Sequence, residues 1–121
     1  MTEINLRNYA YLGDAVWEIY IREKTIQQTN NSKLLHKITT EKVNTTFQYK
    51  LLNLIMPELT QEELETVKRA RNLPIPIGRR HIQAEYRQAT AFECLIGLWY
   101  KNDKSRLSYI YELIEKSELL K

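Results

Sequence analysis

The sequence predicts an all-α domain, and three observations carry that expectation. Apolar residues recur at helical intervals along most of the 121-residue chain, which is the spacing of amphipathic helices. No alternation of apolar and polar residues lasts long enough to argue for a strand. Helix boundaries can be read between the periodic stretches: Thr60 with Glu63 makes the S/T-x-x-E pattern of a capping box, and Pro57 stops the stripe before it. At this length one core is expected, and therefore a single domain over residues 1–121.

The first helix is expected from about residue 5 to 27, ending before the polar turn Gln28-Thr29-Asn30-Asn31. Ser32 is placed as the cap of a short second helix reaching Thr39, with Leu34, Leu35 and Ile38 on its buried side. A third helix follows from Thr40 to Ile55, where Val43, Phe47, Leu51, Leu54 and Ile55 keep helical spacing. The fourth, from Thr60 to Asn72, turns Leu64, Val67 and Ala70 inward. It gathers Lys68, Arg69 and Arg71 at its C-terminal end, where the helix dipole favours cations. Residues 73–81 form the one sizeable loop, since Pro74 and Pro76 bias it to an extended form and Gly78 lets it turn. A fifth helix runs from Gln83 to Tyr100, and Asp103 caps a sixth whose Leu107, Ile110, Tyr111 and Ile114 share one face.

The net charge of +3 is mild, but its distribution is not even. Residues 66–87 carry six basic side chains against the single acid Glu85, a local net of +5, while the remainder sums to −2. That concentration disfavours a helical adaptor with no polyanionic partner. The loop is then either a solvated connector or a basic arm that touches phosphate, and the flanking Lys68, Arg69, Arg71, Arg79, Arg80, His81 and Arg87 favour the arm. Cys94 is the only cysteine, which fits a reducing compartment. No run of about 18 apolar residues is present to span a bilayer, and the N-terminus lacks a signal-peptide pattern. A soluble, cytoplasmic protein with no membrane partner is expected.

Two stretches stand out chemically. Between Arg7 and Arg22 the only charges are Asp14 and Glu18, and Asp14 sits among Tyr, Ala, Leu, Val and Trp. A carboxylate so placed needs a partner, a proton or a cation. Gly13 beside it costs roughly 1 kcal/mol in mid-helix relative to alanine, which points to close approach of another backbone. Ala89 to Trp99 repeats the arrangement, with Glu93 as its one charge and Gly97 one turn on. Alone, each acid reads as a core residue paired with an arginine. Together, two helices packed at their glycines would bring both carboxylates to one point, where a hard cation such as Mg²⁺ fits. Glu18 reads as solvated or ion-paired, His36 and His81 lack metal-ligand spacing, and the Tyr and Trp residues read as core or dimer interface.

Residues Tyr9-Ala10-Tyr11-Leu12-Gly13-Asp14-Ala15-Val16 resemble the signature helix of the ribonuclease III catalytic domain. Thr90-Ala91-Phe92-Glu93-Cys94-Leu95-Ile96-Gly97 resemble its second metal-binding helix. The length, the helix order, the absence of a double-stranded-RNA-binding domain, Lys68-Arg69-Ala70-Arg71-Asn72 and Tyr86-Arg87 make the chain most similar to the Mini-III subfamily. The resemblance implies a homodimeric helical endonuclease that cuts both strands of double-stranded RNA with Mg²⁺, or Mn²⁺ in its place, at one site per subunit. Precursor 23S ribosomal RNA is the implied substrate, with a ribosomal accessory protein as a further partner. The implied location is the cytoplasm, or an organelle stroma if the gene is plastid-encoded. Asp14 and Glu93 would be the catalytic metal ligands, Gly13 and Gly97 the packing points, and residues 73–82 the RNA-contacting loop. The larger family has further acids where this chain has Arg7, Ala10 and Thr90. That departure motivates an alternative: a catalytically silent ribonuclease III-like fold that binds structured RNA or the ribosome.

Overall fold

In this computed structural model, which describes residues 5–75, 78 and 83–120, all regular structure among the described residues is helical. The helices are α1 (Leu6–Thr25), α2 (Ser32–Val43), α3 (Thr45–Ile55), α4 (Gln61–Arg71), α5 (Gln83–Asn102) and α6 (Lys104–Lys116), with a 3₁₀ turn over Met56–Glu58 at Pro57. None of them is long and apolar enough to cross a membrane.

The central element is α5, which packs against α1, α3, α4 and α6. Its sequence requires this, because Ala89, Ala91, Phe92, Cys94, Leu95, Ile96 and Trp99 are all buried and occupy most of its circumference. From α1 comes Trp17, fully buried, whose ring meets Phe92 edge-on at 5.2 Å. Its Nε1 donates to the carbonyl of Lys42 at 2.8 Å, satisfying a last-turn oxygen of α2 that has no partner within its own helix. Burying such a ring contributes at least the roughly 1.5–3 kcal/mol of a large apolar side chain. Tyr20 of α1 stacks on Tyr111 of α6 at 3.7 Å, so these aromatics serve the core.

The capping box is formed as predicted: Thr60 Oγ1 accepts from the Glu63 amide at 3.1 Å and Glu63 Oε1 accepts from the Thr60 amide at 2.8 Å. Asp103 likewise caps α6 through the Arg106 amide. Three expectations require correction. The second helix does not stop at Thr39 but continues to Val43, and the break falls at Asn44, whose side chain accepts from the Phe47 amide. Its N-cap is Asn31 rather than Ser32, with the Asn31 side chain accepting from the Leu34 amide at 2.9 Å. Asparagine is as good a cap as serine, and here it lies one position nearer the turn. Finally, Leu34 is 46% exposed, and Leu35 and Ile38 are only half-buried, because α2 packs on α1 and α3 through a narrow side centred on Thr39.

Candidate active site

The site is built on a backbone crossing. A Cβ added to Gly13 would lie 1.7 Å from the Glu93 carbonyl oxygen, and one added to Gly97 would lie 2.1 Å from that of Tyr9. No side chain fits at either point. Neither glycine has a positive φ, so what the crossing needs is space rather than unusual conformation. Asp14 follows Gly13 on α1 and Glu93 precedes Gly97 by one turn on α5, so the crossing brings the two acids together.

Asp14 is exposed and Glu93 half-buried, and their carboxyl groups are within hydrogen-bonding reach. Burial first, then the hydrogen bond and charge of Asp14, push Glu93 up from 4.5 to about 9. Glu93 therefore keeps its proton near neutrality unless a counter-charge arrives. A divalent cation is such a counter-charge. Among the described residues no group of three or more His, Cys, Asp or Glu gathers to hold a metal. What the crossing offers a cation is a pair of carboxylates, a donor chemistry that would suit a hard, hydrated ion.

A third residue belongs to this centre. Gln48 of α3 is 2% exposed, lies against Glu93 and favours its ionised form. Its Nε2 has no hydrogen-bond partner among the described residues, and an orphaned buried donor costs about 1–3 kcal/mol. The Glu93 carboxyl beside it is an available acceptor, and a stronger one when ionised. Sequence reasoning missed Gln48, although a signal exists: it is a polar residue spaced four and seven positions before Leu52 and Ile55, both buried.

Of the basic residues, Lys68 and Arg69 are exposed on the last turn of α4, while Arg71 and Arg87 are half-buried. Arg87 Nη1 donates to the carbonyls of Arg71 and Leu73, and Arg7 Nη2 donates to that of Pro74 at 3.0 Å. Arg79, Arg80 and His81 lie outside the described residues. Glu18 forms an exposed pair with Arg22 at 2.6 Å. Burial pushes the Cys94 thiol up to about 12, so it stays protonated and is no nucleophile.

Residues 7–104 match the Ribonuclease III domain family. The chain is 38% identical over 113 residues to a Mini-ribonuclease 3 of Gloeobacter violaceus, covering 93% of this chain and 84% of that one. It is 33% identical over 116 residues to the Mini-ribonuclease 3 of Desulfitobacterium hafniense, covering 94% and 74% respectively. A crystal structure of a Fusobacterium nucleatum protein superposes with a TM-score of 0.83 at 32% identity, covering 95% of each chain.

Proposed function

The chain belongs to the ribonuclease III domain family, nucleases of double-stranded RNA that use divalent metal ions, and we propose that Mg²⁺ serves in this member. We further infer that its target is the ends of precursor 23S ribosomal RNA and that it works as a homodimer where that RNA is made, in the cytoplasm or an organelle stroma. The observation that carries the catalytic reading is the Asp14–Glu93 pair held at the glycine crossing.

On this reading Asp14 and Glu93 hold the cation and orient the attacking water. A divalent cation bound there supplies charge neutralisation for the phosphate and a lowered pKa for water. The backbone crossing fixes the spacing of the two acids before RNA arrives, which is the rigid support a metal site needs. Gln48 gives the ionised Glu93 a donor and holds its rotamer. Lys68 and Arg69, with the loop arginines, neutralise phosphates of an A-form duplex and His81 adds a contact; the duplex's shape and 2′-hydroxyls suffice for recognition without base reading. Support for the homodimer is an apolar stripe along α1 and its C-cap, where Tyr11, Ile19 and the cap residue Ile26 are 84%, 61% and 62% exposed at spacings that share a side.

The experiment is cleavage of a perfect RNA duplex with Mg²⁺, with Mn²⁺ and with neither, running Asp14→Asn beside the native chain. Metal-dependent cutting that vanishes in the variant is expected, about a thousandfold or more, as befits loss of several kcal/mol of metal-derived stabilisation. If both proteins bind the duplex and neither cuts it, the silent RNA-binding reading replaces this one.

A further inference from the structure

Arg7 and Arg87 stand on the two helices that carry the acids, seven residues before Asp14 and six before Glu93. The guanidinium groups of both are turned to one short piece of backbone. Arg87 Nη1 donates to the carbonyls of Arg71 and Leu73, and Arg7 Nη2 to that of Pro74. These oxygens belong to the end of α4 and the first residues of the loop, where the helix leaves its last carbonyls without internal partners. A guanidinium is permanently charged, planar and rich in donors, so it suits this position both by hydrogen bonding and by the negative end of the helix dipole. The crevice enclosed by Arg7, Leu73, Pro74, Tyr86, Arg87 and Thr90 has a volume of about 10 Å³. It has no room for a ligand and is a packed joint.

We propose that Arg7 and Arg87 are positioning residues that lock the end of α4 and residues 73–75 onto α1 and α5, so that Lys68 and Arg69 on the last turn of α4 are held in fixed register with the Asp14–Glu93 pair. The inference rests on the nuclease reading for its consequence, though not for its geometry. Arg7 holds the start of the loop through the Pro74 carbonyl. Basic side chains held in place in the free protein lose less freedom on meeting RNA, so anchoring appears as affinity. The acids themselves are set by the glycine crossing and do not depend on it.

The test uses Arg7→Leu and Arg7→Lys, because Arg7 is exposed and its replacement leaves the core intact. Hydrogen exchange of the RNA-free protein should show the Asn72 and Leu73 amides, which bond back to Arg69 and Ala70, opening about tenfold faster in Arg7→Leu, with α1 and α5 unchanged and Arg7→Lys in between. Duplex RNA should bind roughly five- to tenfold more weakly and KM rise in step, while kcat stays within about twofold, the pattern of lost positioning rather than lost chemistry. The slope of affinity against salt should not change, because Arg7 neutralises no phosphate. Unchanged exchange with a slope reduced by about one would make Arg7 a phosphate contact and overturn the proposal. Unchanged exchange with an unchanged slope overturns it as well. If the native chain cuts no RNA, the nuclease reading falls, and the joint is judged by exchange and duplex binding alone.

Discussion

Glu63 and Glu93 are both half-buried glutamates on helices of the same core, and their surroundings drive them in opposite directions. Burial raises Glu63, but the Arg106 guanidinium, the Thr60 amide and the Trp99 indole all donate to it and together hold it below 4.5. Burial also raises Glu93, and there the neighbour is another acid, which raises it further to about 9. What separates the two is the count of donors against like charges. One carboxylate is satisfied within the fold and joins α4, α5 and α6, while the other is left short of positive charge beside Asp14. The comparison teaches that partial burial says little about an acid's role until its partners are counted.

The sharpest way to break this comparison is Glu93→Gln. Cleavage should fall about a thousandfold or more, as expected when the several kcal/mol supplied through the metal is lost. The metal-free protein should nevertheless gain stability at alkaline pH. In the native state Glu93 keeps a proton that the unfolded chain releases, so stability declines as pH rises from 4.5 to about 9. Thermal melts of the metal-free native and variant proteins across that range check it, and a decline as steep in the variant as in the native chain would sink the assignment.

Glu63→Gln should act on the other limb. Because Glu63 is lowered, its contribution is present above its ordinary value and disappears as pH falls through its depressed pKa. Its side chain is 15% exposed and that of Arg106 20%, so the pair is shielded and the substitution should cost about 2 kcal/mol near neutrality. Urea melts at pH 7 and pH 3 should show that deficit shrinking at the lower value. Cleavage per folded molecule should be unaffected.

The smallest effect on the fold should come from Gln48→Leu. Removing an orphaned buried donor is near neutral or slightly stabilising, yet the Mg²⁺ concentration for half-maximal cleavage should rise about tenfold, as for other groups that orient a metal ligand. A titration of Mg²⁺ against rate, together with calorimetric Mn²⁺ binding without RNA, separates this from a packing defect. A lower melting temperature with unaltered metal dependence would make Gln48 merely structural.

Much of the fold was legible because helices announce themselves locally. The stripe Leu107, Ile110 and Ile114, the Thr60–Glu63 box and the stop at Pro57 each involve residues within a few positions of one another. The errors came where several polar residues competed for one cap: Asn44 broke the chain that Thr40 was expected to break, and Asn31 displaced Ser32. In the site, Asp14 and Glu93 could be singled out because an acid beside a mid-helix glycine in apolar surroundings is costly in any fold. Gln48 was not legible in that way, since a glutamine on a helix is usually solvated and only the packing of α3 on α5 puts it against Glu93. The targets of Arg7 and Arg87 are backbone oxygens, and these carry no residue identity for a motif to register.

The contact between α1 and α5 at Gly13 and Gly97 also acts as a gauge block. Where two helices meet through side chains, their separation drifts as those side chains are exchanged over generations. Here it is set by peptide groups touching peptide groups, so the separation of Asp14 from Glu93 is insulated from drift in the surrounding core. Phe92, Leu95 or Ile96 can be traded for residues of similar volume without retuning the chemistry, and the two glycines cannot be traded at all.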